Sequence, residues 1–138
     1  LKTRVNVIRR IPKDLPPAFG DIRKIEQVLT NLLTNAADAL SGEDNPCLCI
    51  EAGTTGNKVR VAVTDNGPGM KPESIARVFD PFFTTKEEGK GTGLGLPISK
   101  GIIEAHGGTM DAWNVSGGGA QFSFTLPIAV AEKQEEVV

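Results

Sequence analysis

Three polar side chains stand where they could hold a divalent cation and a planar ligand. Asn31 and Asn35 lie four residues apart in an amphipathic run, so one helix face would carry both amides, whose oxygens are neutral ligands suited to Mg²⁺. Asp65 ends a valine-rich run beside Gly67 and Gly69, where the backbone lets a flat ligand approach closely. Each feature has an ordinary alternative, because an isolated asparagine is more often a buried or capping amide and Asp-Asn-Gly is a common hairpin turn.

A glycine-rich stretch runs from Gly89 to Leu96 and leads into an apolar helix. Backbone amides without Cβ bulk can surround an anion, and the first turn of a helix adds N–H donors, so this stretch favours phosphate. It matches neither GxGxxG nor GxxxxGK[ST], and a flexible surface loop is the alternative. The polar residues before it have the composition of a mobile lid, in which Lys86 would face a phosphate, with Lys90 competing for that role.

The elements that would position these residues follow from the apolar periodicity. Apolar residues recur at spacings of three and four between Asp21, a predicted helix cap, and Leu40. The predicted order is a strand beginning at Val5, a helix over 21–40, strands over 48–54 and 58–65 joined at Gly56-Asn57, helices over 72–79 and 96–106, and strands over 109–113 and 120–126. This order predicts an α+β fold, a two-layer α/β sandwich with about three helices on one face of a mixed, mostly antiparallel sheet.

The composition is that of one soluble globular domain. The chain has 138 residues, of which 39% are hydrophobic and 23% charged, and no apolar run approaches the ~20 residues of a membrane span. The net charge of −2 gives no basic surface for nucleic acid. The spacing of Cys47 and Cys49 is unsuited to a disulfide bond between them, so we expect both to be small buried hydrophobic residues. We expect a domain over residues 1–130 and a tail or linker over 131–138. Because the sequence starts without Met and shows no signal peptide, we also expect it to be a piece of a longer cytoplasmic protein.

Four segments occur in one order along the chain: Asn31–Leu40 (NLLTNAADAL), Asp65–Met70 (DNGPGM), Phe79–Phe83 (FDPFF) and Gly91–Leu96 (GTGLGL). In this order and spacing they resemble the N, G1, F and G2 boxes of the catalytic ATP-binding domain of sensor histidine kinases, within the GHKL or Bergerat-fold superfamily. Hsp90, type II topoisomerases and MutL share the N and G1 boxes but lack this form of the F box. The resemblance covers about Val5 to Pro127 and implies a Bergerat fold that binds ATP and Mg²⁺.

The resemblance also implies a role for each matching residue. Asn35 would be the Mg²⁺ ligand, Asn31 would reach the phosphates or order metal-bound water, and Asp65 would accept a hydrogen bond from the exocyclic amine of adenine. Gly69 would lie beside the ring, and Thr125 would complete the polar contacts through water. The remaining ATP-binding residues would be Gly67, Lys86, Lys90, Gly91, Thr92, Gly93, Leu94, Gly95 and Leu96, with the glycines of the G2 box as hinge and floor of the ATP lid.

By the same resemblance, the domain donates the γ-phosphate of ATP to a histidine on a separate helical-hairpin phosphoacceptor module of the parent kinase, which then serves a response regulator in bacterial two-component signalling. No residue resembles a proton-abstracting base, so the catalytic contribution of Asn31, Asn35 and Lys86 would be positioning and charge neutralisation. No contact of this domain with a membrane or nucleic acid is expected, although its parent can be membrane-anchored.

Two further side-chain types have simpler interpretations. His106, the single histidine, is expected to be structural, because it lies at a helix end before two glycines, where it can satisfy carbonyl groups. The aromatic residues Phe79, Phe82 and Phe83 are expected in the core, with at least one exposed to dock on a partner helix.

Two positions depart from the family pattern. Asn31 stands where hydrolytic relatives carry a glutamate that activates water, so hydrolysis should be feeble. Asp38 stands where many histidine kinases carry a basic residue, which would leave Lys86 with more of the charge neutralisation, as in the nitrogen-regulation type that shares the FFTTK sequence. Two other functions remain open: a GHKL protein serine kinase of the anti-sigma-factor type, and a module that senses ATP without transferring phosphate.

Overall fold

A five-stranded mixed sheet organises the computed structural model, which describes residues 4–84 and 93–129. The elements are β1 (Asn6–Arg10), α1 (Ile22–Ala39), β2 (Cys47–Thr55), β3 (Lys58–Asp65), α2 (Pro72–Ile75), α3 (Gly95–Ala105), β4 (Met110–Asn114) and β5 (Ala120–Pro127). The strands are ordered β1-β2-β3-β5-β4, with β1 parallel to β2 and every other neighbouring pair antiparallel. The predicted order of elements and the two-layer sandwich are therefore confirmed.

The helix α1 forms because its local signals agree. Asp21 is the N-cap residue, and its carboxylate accepts hydrogen bonds from the backbone N–H groups of Arg23 (3.0 Å) and Lys24 (3.4 Å). Its apolar stripe, with Val28 and Leu32 at 0 and 1% exposure, faces the sheet. A polar stripe beside the apolar one carries the two predicted asparagines, and both are half-buried.

The hydrophobic core fills the space between one face of the sheet and the helices α1 and α3. Alternate residues of β5 point into it, and Phe124 is 1% exposed where it pairs with Val61 of β3. Ile103 of α3 is fully buried against the same cluster. Burial of an aliphatic or aromatic side chain of this size contributes roughly 1.5–3 kcal/mol, so this layer fixes α1 and α3 relative to the sheet.

The helix α2 is shorter than the sequence predicted. The prediction extended to Phe79, but the helix ends at Ile75 and continues as turns in which the N–H groups of Arg77 and Asp80 donate to carbonyls three residues earlier. Pro81 only sets an outer limit, because a proline ring disfavours helical backbone in Asp80 and supplies no N–H; it does not account for the end at Ile75.

His106 joins the end of α3 to the start of α1, which confirms its structural interpretation. Its Nδ1 lies 2.7 Å from the Ile102 carbonyl oxygen, and its Nε2 accepts a hydrogen bond from the Asp21 N–H at 3.1 Å. These two contacts require the neutral ring with the proton on Nδ1. Both ring nitrogens are therefore used in hydrogen bonds that connect the end of α3 to the start of α1.

The two cysteines are free thiols on β2, as the spacing predicted, and both are half-buried. Burial raises the pKa of the Cys49 thiol, and the nearby Glu51 carboxylate adds to the effect. Within residues 4–84 and 93–129, no helix is both long and apolar enough to span a bilayer.

Gly101 offers a test of the packing on α3. It lies inside the helix, and a Cβ added there would meet no atom within 4 Å. Because alanine restricts the unfolded chain more than glycine does, Gly101→Ala should raise the free energy of unfolding by roughly 0.5–1 kcal/mol, measured by urea denaturation.

The matched control is Gly108→Ala at the end of the same helical segment. A Cβ there would lie 1.8 Å from the Thr125 carbonyl oxygen, so this variant should be less stable than the wild type. Equal stability of the two variants would contradict the packing described for this layer.

Candidate functional site

A cavity of about 780 Å³ opens between α1, the loop after β3 and the beginning of α3. Its floor includes Phe122 of β5, and Val78 and Met70 contribute further apolar surface. Polar side chains of α1 form the opposite wall. A volume of this size with few convergent polar groups suits a nucleotide-sized ligand.

The polar wall is a stripe of polar residues along α1, two of them exposed and two half-buried. Four residues at positions i, i+3, i+4 and i+7 of the helix line the cavity: Asn31, Thr34, Asn35 and Asp38. Asn35 is half-buried, and its side chain makes no hydrogen bond to another described residue. A half-buried amide oxygen that protein groups do not occupy is suited to a hard cation.

Asn31 has a different environment, because its amide connects two helices. The amide nitrogen donates to the Gly95 carbonyl oxygen (3.1 Å) and to the Ser99 hydroxyl oxygen (2.9 Å). Ser99 is fully buried. The amide nitrogen therefore holds the first turn of α3 against α1, and contact of the amide oxygen with phosphate or metal-bound water stays a prediction.

Asp65 lies at the end of β3 and is 3% exposed. Its Oδ1 accepts hydrogen bonds from the backbone N–H groups of Gly67 (2.9 Å) and Ala120 (3.4 Å). No described residue donates to Oδ2. Burial raises the pKa of the Asp65 carboxyl, and the two backbone hydrogen bonds only partly oppose this. The site therefore contains a desolvated carboxylate with one oxygen committed to the protein.

The glycines beside Asp65 allow the loop after β3 to lie close against the end of α1. A Cβ on Gly67 would lie 2.5 Å from the Ala39 carbonyl oxygen at the end of α1. Gly69 has a φ of +82°, a conformation that L side chains rarely adopt, and it lines the cavity. The loop can thus lie between α1 and the cavity only with these two residues as glycine.

The glycine-rich stretch enters the described part of the chain at Gly93. The Phe82 N–H donates to the Gly93 carbonyl oxygen at 2.7 Å, and a Cβ on Gly93 would lie 2.3 Å from the Phe82 carbonyl carbon. Leu94 is the N-cap residue of α3, and Gly95 and Leu96 line the cavity. The N-terminal end of α3 therefore faces the cavity, as phosphate binding requires. The predictions for Lys86, Lys90, Gly91 and Thr92 lie outside the described residues.

The three phenylalanines of the F box have three different environments. Phe79 packs against the core, with the Lys100 ammonium 4.7 Å from its ring centre. Phe83 lines the cavity, whereas Phe82 is 74% exposed with a φ of +66°. The expectation that at least one of them is exposed is confirmed.

The structure does not place Thr125 at the cavity, where it was predicted to complete the polar contacts to adenine through water. Thr125 pairs with Arg60 on β3, and its hydroxyl accepts a hydrogen bond from the Thr109 N–H at 3.0 Å. Asp65 lies at the other end of this strand pair, beyond Thr64, which pairs with Gln121. Thr125 is therefore several residues along the strand from the cavity and does not line it.

Sequence reasoning missed the contribution of the β4–β5 hairpin. The hairpin was predicted as a turn around Ser116–Gly119, but its residue Ala120 donates to Asp65 and lines the cavity. Asn114 at the end of β4 bonds to the backbone of Met70, another lining residue. The glycine run signalled a turn, but no local pattern indicates which loop the turn contacts.

The chain matches the family described as histidine kinase-, DNA gyrase B-, and HSP90-like ATPase over residues 20–130. It is 37% identical over 122 residues to the sensor histidine kinase ZraS of Escherichia coli O157:H7, covering 88% of this chain and 26% of ZraS. It is 46% identical over 121 residues to the two-component sensor PprA of Pseudomonas aeruginosa, covering 80% of this chain and 12% of PprA. The chain thus spans only 26% of the length of ZraS and 12% of the length of PprA.

Solved structures agree with this assignment. The catalytic domain of histidine kinase ThkA, solved without nucleotide, aligns with a TM-score of 0.78 at 36% identity and covers 90% of this chain and 79% of that one. Full-length ShkA in complex with AMPPNP aligns with a TM-score of 0.78 at 31% identity, covering 92% of this chain and 26% of ShkA. Sequence and structure together mean that the chain belongs to the histidine kinase-, DNA gyrase B- and HSP90-like ATPases, as a catalytic domain of the sensor histidine kinase type.

Proposed function

We propose that this domain binds Mg·ATP and presents the γ-phosphate to a histidine on a separate helical-hairpin module. The observation that carries the proposal is the buried Asp65 carboxylate, which keeps Oδ2 unbonded by described residues beside a nucleotide-sized cavity. An oxygen in that position can accept the hydrogen bond of an exocyclic amine. Adenine carries such an amine, whereas guanine and hypoxanthine carry a carbonyl oxygen at the same ring position.

The metal would be held on α1, opposite the base. The Asn35 amide fits Mg²⁺ because it is half-buried, lines the cavity and is not used by other described side chains. Mg²⁺ usually has few protein ligands and completes its shell with phosphate oxygens and water, so one amide suffices. When bound, Mg²⁺ neutralises charge on the phosphates during transfer.

The phosphates would extend toward the N-terminal end of α3. Gly95 and Leu96 line that end of the cavity, and α3 begins without a side-chain cap. Helix N–H groups and the helix dipole favour an anion there. The Asn31 bonds to Gly95 and Ser99 keep this helix end at a constant distance from Asn35. Lys86 is proposed as the cation at the γ-phosphate.

The phosphoacceptor would come from outside this domain. Both ring nitrogens of His106 are occupied at the far ends of α1 and α3, so His106 is unsuited to accept phosphate. The exposed Phe82 ring beside Gly93 supports docking of an apolar helix next to the cavity mouth. ThkA has been solved in complex with the response regulator TrrA, which supports a response regulator as the later partner. We propose a cytoplasmic location, where ATP is available.

Asp65→Asn tests the recognition of the base. The N–H groups of Gly67 and Ala120 require an acceptor, so the amide oxygen should take the Oδ1 position and the NH₂ group should face the ligand. Two donors would then meet at the adenine amine, and ATP affinity should fall by roughly 100-fold. The affinity of ITP relative to ATP should rise, measured by calorimetric titration of both nucleotides.

The same variant has a built-in control for folding. Because the pKa of Asp65 is raised in the fold, its contribution to stability is full at acid pH and is lost as the pH rises through the folded pKa. Asp65→Asn removes this loss, so the variant should be at least as stable as the wild type at pH 7. The wild type should also lose ATP affinity on acidification at a higher pH than an ordinary aspartate would. Retained ATP affinity in a stable variant would contradict the proposal.

Asn35→Ala tests the metal site. ATP affinity measured in Mg²⁺ should fall by at least about tenfold, the lower end of the cost of losing even an outer metal partner, whereas affinity measured in EDTA should not change. Thr34→Ala, at the adjacent lining residue, is the control and should retain Mg²⁺-dependent binding. An equal loss with and without metal would exclude Asn35 as the ligand.

Phe82→Ala tests docking of the phosphoacceptor module. The ring is exposed and lies outside the cavity lining, so ATP affinity should not change. Phosphotransfer to the histidine module added in trans should fall by roughly tenfold at subsaturating module, since an apolar contact is lost. Ile22→Ala, which removes a side chain that is 72% exposed at the start of α1, should leave transfer intact. Equal effects of the two substitutions would argue against docking at Phe82.

A further inference from the structure

Asn114 makes an unusual pair of hydrogen bonds across the fold. It is the last residue of β4, and its side chain bonds to the backbone of Met70 in the loop after β3. The amide oxygen accepts from the Met70 N–H at 2.8 Å, and the amide nitrogen donates to the Met70 carbonyl oxygen at 2.7 Å. One side chain therefore supplies both bonds that an antiparallel strand neighbour would supply to a single residue.

The contact lies directly against the loop that lines the cavity. A Cβ on Gly69 would lie 3.0 Å from the Asn114 amide oxygen and 3.4 Å from the Gly119 carbonyl oxygen. Gly69 and Met70 both line the cavity, four and five residues after Asp65. The Asn114 amide thus contacts the loop from outside the cavity lining and restricts how far the loop can move.

The other strand of the same hairpin, β5, contacts Asp65 itself. Ala120 donates its N–H to the Asp65 carboxylate, and a Cβ on Gly119 would lie 1.9 Å from the Asp65 carbonyl oxygen. The turn between Asn114 and Ala120 is closed by the Val115 N–H, which donates to the Gly119 carbonyl oxygen at 2.9 Å. One tight turn therefore fixes the distance between the carboxylate and the loop.

We propose that Asn114 is a positioning residue for recognition of the nucleobase, a role that rests on the proposed binding of ATP. Asn114 is exposed and does not line the cavity, so it acts through the backbone of Met70 and Gly69. By holding this loop at a constant distance from Asp65, it sets the width of the slot that receives adenine. A slot that widens loses the alignment of the base with the carboxylate, whereas the phosphate and metal contacts on α1 and α3 are unaffected.

The test compares ATP with ITP on Asn114→Ala, by competition against a fluorescent ATP analogue in Mg²⁺. The dissociation constant of ATP should rise by roughly tenfold, and that of ITP should change by less than about twofold, since ITP does not use the hydrogen bond to Asp65. The preference for ATP over ITP should therefore fall. An unchanged preference overturns the proposal, whether both nucleotides bind as before or both bind more weakly.

Conservative variants separate positioning from general stabilisation. Asn114→Asp keeps the acceptor for the Met70 N–H but faces the Met70 carbonyl with a carboxylate, so it should lose the preference as the alanine variant does. Asn114→Ser retains a donor and an acceptor on one atom and should keep part of the preference for ATP over ITP. Loss of preference in the serine variant equal to that in alanine would count against positioning by hydrogen bonds.

Gln121→Ala is the matched control on the same hairpin. Gln121 also makes two side-chain hydrogen bonds, accepting from Arg60 (3.0 Å) and donating to the Thr64 hydroxyl (2.8 Å), on the opposite face of the sheet. Its loss should lower the melting temperature about as much as Asn114→Ala without changing the preference for ATP. Equal loss of preference in both variants overturns the proposal. If the wild type binds neither nucleotide, the proposed ATP binding fails, and that result is distinct from failure of the Asn114 role.

Discussion

The site depends on the burial of one carboxylate. Asp65 is buried at the end of β3, and among the described residues two backbone N–H groups, both on one oxygen, offset the cost of its charge. To bring those donors within reach, the backbone must approach the carboxylate from two directions. Gly67 provides one approach beside the end of α1, and the β4–β5 turn with Gly119 provides the other. Gly67 and Gly119 follow from this single requirement.

The same burial links stability to ligand recognition. A desolvated carboxylate with a raised pKa lowers the stability of the fold at neutral pH, so a neutral residue in its place would suit the fold better. The unbonded oxygen has value only when a donor arrives from outside. Proteins commonly retain such groups where a ligand must be recognised, and the adjacent cavity is consistent with that interpretation. The stability of this domain is therefore best compared with and without nucleotide, since ATP should contribute the missing hydrogen bond.

Features whose sequence signals lie close together along the chain were predictable, and features that depend on how the strands pair were not. The helix α1 has its cap, its apolar period and its end within 20 residues, and the Gly56-Asn57 turn is equally local. The early end of α2 at Ile75 has no such local signal, because Pro81 restricts the helix only from Asp80 onward. The position of Thr125 was not predictable for another reason. Strand alternation and a polar side chain do not reveal that this end of β5 pairs with Arg60, whereas Ala120 is the residue that reaches Asp65.

Asn114 shows most clearly what cannot be predicted from the sequence. Its contact with Met70 spans 44 residues and joins an exposed side chain to a loop backbone, so neither periodicity nor composition carries a signal for it. The N, G1, F and G2 boxes were recognisable because each consists of contiguous residues. The part of the hairpin that supports them is recognisable only once β4 and β5 are folded against β3.

The amide at Asn31 connects the architecture to the type of chemistry. A glutamate in this position, as the resemblance implies for hydrolytic relatives, has an oxygen basic enough to take a proton from water. The Asn31 amide instead donates two hydrogen bonds, to Gly95 and Ser99, that an ionised carboxylate cannot donate. The substitution therefore does more than remove a base, because it uses the position to attach the cavity-lining end of α3 to the helix that carries Asn35. Under the proposed function, a site arranged in this way would hold the triphosphate and leave its activation to the incoming acceptor, which suits transfer to another protein better than transfer to water.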